Sequence, residues 1–252
     1  MTALTTDAVL AGVALFAGAI NSVAGGGSMF TFPALILAGV PAIPANATNN
    51  TAMWVGTVAS ASGYRRELRP YWRRLTPSIV ASLLGALIGA LLLLHTPSSF
   101  FDRLVPWLLL FAISVFIASP WLRGDAHVVG DHVHDPWQIA LQFLVAIYGG
   151  YFGAGIGYLM LALLAFSGLP DIHAMNAIKN LLAAFINGIA IMPFALAHVV
   201  DWPLATIMAA AAMAGGYIGS RLGQRFPSRV VRGFVIVAGV SMTAWFFYRT
   251  FA

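Results

Sequence analysis

An all-α polytopic membrane bundle of two inverted repeats is the fold class this chain predicts, and three observations predict it. Ten apolar runs follow one another with no long polar segment between them. The composition is 60 % hydrophobic and only 8 % charged, with a mean hydropathy of +0.86, far from the roughly 25 % charged residues of ordinary globular chains. The second half of the sequence restates the first.

The runs lie at 7–24, 27–39, 47–63, 75–95 and 100–120, then at 137–152, 156–169, 177–197, 203–220 and 231–248. Several approach or reach the roughly 20 residues that span a ~30 Å hydrocarbon core. Backbone polar groups in lipid must pair within their own segment, and the runs are too long and too evenly apolar for barrel strands, so each is a helix. The expected organisation is one integral membrane domain over 1–252, with a first repeat at 7–120, a cytoplasmic polar loop at 121–136 and a second repeat at 137–249. Run 7–24 has neither a basic leading region nor a convincing cleavage site, so it is expected to be retained.

Displacing the sequence by 130 places Asn46 on Asn176, Asn50 on Asn180, Trp72 on Trp202, Gly85 and Gly89 on Gly215 and Gly219, and Pro97-Ser98 on Pro227-Ser228. A displacement of 129 places Gly26 on Gly155, Gly39 on Gly168 and Pro41 on Pro170. Aligned Trp, Asn and Pro-Ser are hard to obtain by chance, so the duplication is real. Loop charge gives the relative orientation. Arg65, Arg66, Arg69, Arg73 and Arg74 follow the third run, whereas the matching loop 198–202 has no Lys or Arg. The next pair of loops reverses this, with Arg103 against Arg221, Arg225, Arg229 and Arg232. Basic loops favour the cytoplasm, so the halves are inverted, with both termini outside. Each half crosses an odd number of times, either as five crossings or as three plus a re-entrant hairpin. The sequence leaves open which of these the short runs 27–39 and 156–169 adopt.

Inverted-repeat transporters bind substrate near the midplane, at paired short or Gly-interrupted segments. Here the pair is Asn21-Ser22-Val23-Ala24-Gly25-Gly26-Gly27-Ser28 and the stretch 148–157 with Gly153, Gly155 and Gly157. Such glycines uncover backbone N–H groups, and a helix restarting beyond them presents its positive end to an anion. Gly85, Gly89, Gly215 and Gly219, spaced four apart within regular runs, are read instead as helix-packing positions. A second polar constellation, Asn46-Ala47-Thr48-Asn49-Asn50-Thr51, is answered by Asn176-Ala177-Ile178-Lys179-Asn180. Capping explains some of these residues. It does not explain Asn49 and Asn50 inside an apolar run, nor Lys179, the only lysine of the chain; an ionisable group in a membrane segment is by default functional. The expected substrate-binding set is therefore Asn21, Ser22, Gly25, Gly26, Gly27, Ser28, Asn49, Asn50, Gly153, Gly155, Gly157, Lys179 and Asn180.

All eight acidic residues fall at run ends or in loops, so no carboxylate is placed as a midplane proton relay or sodium ligand and cation transport is disfavoured. The His- and Asp-containing segment 123–135 reads as a solvated linker rather than a metal site. No catalytic triad, carboxylate pair or phosphate loop occurs, and there is no cysteine; catalytic residues, metal and cofactor are all expected to be absent. The net charge of +5 sits in short loops and orients the protein rather than binding nucleic acid. The expected partners are a small anion and the bilayer, and self-association is compatible with the sequence.

With these residues in view, the chain resembles the TauE/SafE sulfite-exporter family. The likeness rests on 21–28, on Pro33-Ala34-Leu35, Gly39-Val40-Pro41 and Ala47-Thr48-Asn49-Asn50, on Tyr64-Arg65-Arg66, and on Gly153-Ala154-Gly155-Ile156-Gly157 with Gly168-Leu169-Pro170. Family members typically carry Thr-Asn-Lys where this chain has Thr48-Asn49-Asn50, so the first-half site lacks a positive charge. The resemblance implies a secondary transporter, an exporter, that passes sulfite, sulfoacetate or another sulfonate or small organic anion across the inner membrane. The rival readings are a passive anion channel and a non-transporting membrane enzyme or assembly subunit.

Overall fold

The computed structural model of the chain describes residues 3–122, 135–167, 169, 172–222 and 228–251. Within them are eleven helices: α1 (Ala3–Ala24), α2 (Ser28–Leu37), α3 (Ala42–Gly63), α4 (Arg65–Leu68), α5 (Thr76–Leu94), α6 (Ser98–Leu122), α7 (Pro136–Tyr151), α8 (Ile156–Phe166), α9 (Ile172–Leu196), α10 (Trp202–Leu222) and α11 (Ser228–Phe251). Apart from the one-turn α4, each falls on one of the ten apolar runs. No strand occurs among the described residues. Six helices are long and apolar enough to cross a membrane, and the protein is a polytopic α-helical membrane bundle. Most of the polar segment 121–136 and Gly168 and Pro170 of the repeat alignment lie outside the described residues.

The ten residues of α2 give about 15 Å of helix at 1.5 Å each, half of a bilayer core. Their direction is fixed by packing. Gly27 sits against Ala17 and Asn21, and Phe30 meets Phe16 edge-on at 5.5 Å. The chain thus turns at the glycines and α2 runs back along α1. Ile156 lies over Gly149 at the corresponding turn between α7 and α8.

Small residues set the long-helix contacts, because only they let membrane helices approach backbone to backbone. Gly18 of α1 packs on Ala212 and Gly216 of α10, and Gly215 and Gly219 of α10 pack on Leu15, Ala19 and Ser22 of α1. Gly85 and Gly89 of α5 meet Phe143, Ala146, Ile147 and Tyr151 of α7. Each repeat's first long helix is therefore seated on the other repeat's fourth. The registers also give direction. Thr48, Gly56, Ser60 and Gly63 along α3 meet Asp201, Ala212, Gly216 and Ser220 in ascending order, so α3 and α10 are parallel. The short 197–201 turn makes α9 antiparallel to α10, and hence to α3, its own counterpart. The repeats are inverted.

Large apolar side chains such as Leu84, Leu92, Leu144 and Val237 are exposed on the periphery and face lipid, while Trp72, Trp137 and Trp202 lie exposed at helix boundaries, where indole rings suit the membrane interface.

Candidate functional site

The first break begins where α1 ends. Gly25 and Gly26 both have φ of +76°, a left-handed conformation that costs a residue with a Cβ roughly 1–2 kcal/mol. Asn21 organises the turn: its Oδ1 accepts the Gly27 N–H at 3.3 Å and its carbonyl accepts the Gly25 N–H at 3.2 Å. Ser22 donates its hydroxyl to Ala19 O at 2.8 Å, and Ser28, half-buried, starts α2. The last carbonyls of α1 run out of helical donors, Asn21 O keeping only its bond from the Gly25 N–H. The other repeat supplies donors for two of them. Lys179 Nζ donates to Asn21 O at 2.7 Å and Asn180 Nδ2 to Ser22 O at 3.2 Å.

The second break turns at Gly153 and Gly155, with φ of +73° and +80°. Here the first repeat returns the contact: Asn46 Nδ2 donates to Tyr151 O at 3.1 Å, and a Cβ on Gly153 would stand 3.5 Å from Asn50 Nδ2. Tyr148 closes the turn by donating its hydroxyl to Ala154 O at 2.8 Å. The two breaks meet at Gly25 and Gly157, where a methyl on either would come within 2.8 or 2.7 Å of the other's backbone. Only two glycines permit that approach.

Lys179 is 1 % exposed and has Asn176 Oδ1, at 3.0 Å, as its second acceptor. It makes no ion pair with a carboxylate among the described residues. Its charge instead faces the carbonyl end of α1, the favourable pole of the helix dipole, and one of its three donors is left over. On the helices that meet at the two breaks are buried polar atoms with no partner among the described residues: both amide atoms of Asn50, the amide oxygens of Asn46 and Asn180, and the Tyr158 hydroxyl. The end of the Tyr158 ring occupies the space over Gly26. The Gly26 and Gly155 N–H groups, equivalent in the two repeats, likewise meet no acceptor among the described residues. Each unpaired buried group costs about 1–3 kcal/mol.

Of the residues expected to bind substrate, the structure brings together Asn21, Ser22, the glycines of both breaks, Asn50, Lys179 and Asn180. Asn49 is engaged elsewhere: its Oδ1 accepts the Thr31 hydroxyl and ties α3 to α2. Sequence reasoning did not include Tyr158 or Asn46 in this set. Asn46 carried a signal, since it matches Asn176 across the repeat; a tyrosine directly after the Gly153–Gly157 series was the only cue to Tyr158. Among the described residues no cluster of potential metal ligands occurs.

The family model for Sulfite exporter TauE/SafE matches residues 10–246. The chain belongs to this family. Curated relatives cover almost the same span. The "Probable membrane transporter protein ORF9" of a Sinorhizobium species is 27 % identical over 91 % of this chain and 87 % of its own length. A "Probable membrane transporter protein" of Haemophilus influenzae is 26 % identical over 96 % and 94 %. The "Probable membrane transporter protein YfcA" of Escherichia coli K12 is 27 % identical over 95 % and 89 %. No solved structure gives a significant match. TauE/SafE membership and these relatives mark the chain as a membrane transporter.

Proposed function

We propose that the chain is a secondary transporter, without enzymatic activity, that exports a small sulfur-containing or organic anion such as sulfite, sulfoacetate or another sulfonate across the cytoplasmic membrane. The observation that carries this reading is the buried lining of the two breaks. At the breaks are the chain's only lysine and, with no partner among the described residues, the Asn50 amide, the Tyr158 hydroxyl and the Gly26 and Gly155 N–H groups; none of these groups is a carboxylate. That lining is rich in donors and carries one positive charge, which suits an anion with several oxygen acceptors. Helices α2 and α8 start from the breaks and turn their positive ends toward the same place. Arginine-rich loops orient the protein with residues 65–74 in the cytoplasm, and rocking of one inverted unit against the other would expose the breaks alternately. The site residues are those predicted other than Asn49, which bonds to Thr31, with Tyr158 added and Asn46 holding the second break.

The test is flux in proteoliposomes. Sulfite or sulfoacetate should be carried by the wild type and by Gly12→Ala, whose added methyl meets nothing within 4 Å. Lys179→Ala and Asn50→Ala should lower flux by at least about tenfold, the loss expected from one charge-assisted or buried hydrogen bond. Full transport by both variants would remove the breaks from the pathway.

A further inference from the structure

A cavity of about 480 Å³ opens at the end of the bundle that holds the start of α3 and the end of α11. It lies at the opposite end of α3 from the arginine-rich 65–74 segment. Its charged residues come from both repeats: Asp102 and Arg103 from the first turns of α6, and Arg249 from the last turns of α11. All three are exposed, and none of them forms an ion pair among the described residues, although Asp102 and Arg103 are neighbours in the chain. Arg249 is held instead by its own helix, with its guanidinium 5.4 Å over the Trp245 ring.

Two helices also begin at this cavity. Ala42 and Ile43 open α3, and Ser98 and Ser99 open α6. The turn before α6 uses Pro97 O to accept the N–H groups of Phe100 and Phe101. Those of Ser98 and Ser99 have no acceptor among the described residues, and neither does either serine hydroxyl. Two arginines, two serine hydroxyls and two positive helix ends thus face one concavity of a size suited to a small ligand, and Asp102 is the single opposing charge. The floor leads inward. Phe246 stacks on Phe32 at 5.7 Å, and Phe32 meets Phe152 edge-on at 5.3 Å, one residue before Gly153 of the second break.

We propose that this cavity is a second, peripheral anion site, which binds small sulfonates or comparable oxyanions through Arg103, Arg249 and the start of α6. It stands at the exterior mouth of the route, separated from the breaks by the Phe246–Phe32–Phe152 column. Its place at the mouth of a route rests on the transport reading above; the binding site itself does not.

The chain has no cysteine, so Ser99→Cys gives a single reporter thiol in the purified full-length protein. Its labelling rates with an anionic reagent, 2-sulfonatoethyl methanethiosulfonate, and a cationic one, the 2-(trimethylammonio)ethyl analogue, are each divided by the rate with free 2-mercaptoethanol. The normalised anion-to-cation ratio should exceed one by about fivefold or more, the enrichment expected in a cavity of net positive charge. It should fall to one or below when Arg103→Gln and Arg249→Gln are added, leaving Asp102 alone, and persist with Arg103→Lys and Arg249→Lys, whose melting curves show whether the fold is retained. Isethionate at about 10 mM, the range of a weak site, should slow both reagents. A wild-type ratio at or below one, a ratio indifferent to the Gln pair, or no protection by isethionate would each overturn the site. These rates need no flux, so a chain that carried no anion could still pass, and a functioning transporter without this site would fail.

Discussion

The two breaks share a backbone plan and differ in what holds them. Both turn through left-handed glycines, and both have a terminal carbonyl capped from the opposite repeat. The first is capped by a charged amine and an amide, Lys179 and Asn180, whereas the second is capped by the amide of Asn46 alone. The position equivalent to Lys179 in the first repeat is Asn49, which is spent on Thr31. Duplication thus supplied the fold twice while divergence left the positive charge in one copy. Under the transport reading, a pair of identical half-sites would bind from either side alike, whereas this pair would have a strong and a weak member.

The comparison can be broken most forcefully at the glycines. Gly25→Ala would place a methyl 2.8 Å from the Gly157 carbonyl carbon in a left-handed backbone, and we expect a loss of about 2–5 kcal/mol from strain and overpacking together. Gly153→Ala meets nothing closer than 3.3 Å, so it should lose only the backbone share, about 1–2 kcal/mol. Denaturant unfolding in mild detergent ranks the two, and equal losses would mean that the contact between the breaks is not tight.

Next in size is Lys179→Asn, which makes the two repeats alike at this position. It should raise the KM for sulfite flux about 10- to 100-fold, the worth of one hydrogen bond to a charged group. An unchanged KM would make the amine purely a helix cap. Asn46→Ala leaves Tyr151 O without its side-chain donor and should lower stability by about 1 kcal/mol, with KM little altered. Smallest is Thr31→Val, which frees Asn49 Oδ1; interhelical hydrogen bonds in membranes average about 0.6 kcal/mol, and the same unfolding measurement resolves whether the effect stays below that of Asn46→Ala.

Much of this architecture was legible in the sequence, because the bilayer limits the choices. Apolar runs in lipid must be helices, and ten of the eleven observed helices follow from them. The duplication was visible because Asn, Trp and Pro-Ser are rare in an apolar background, and inversion because arginines mark one face. The course of the short runs was not legible: length alone does not say what α2 packs on, and the contacts of Gly27 with Ala17 and of Phe30 with Phe16 show it running back along α1. The site was half legible for the same reason. Composition identified Lys179, Asn50 and Asn180 as misplaced polar groups, but not which carbonyls they meet, since the partners stand 158 residues away in the chain. Nor could it separate Asn49, committed to Thr31, from Asn50, whose amide atoms have no partner among the described residues. Tyr158 escaped because a tyrosine in an apolar helix is unremarkable until its hydroxyl is found buried and unpaired.

The most direct test of the central claim, that the converging breaks form an anion site, is thermal unfolding of the purified protein across sulfite, sulfoacetate, isethionate, sulfate, acetate and matched sodium and potassium salts. A ligand that binds the folded state raises Tm by mass action. The account predicts that one sulfur oxyanion or sulfonate raises Tm and that Lys179→Ala abolishes the rise without preventing folding. A rise produced by the cations, or one that survives in Lys179→Ala, would contradict it.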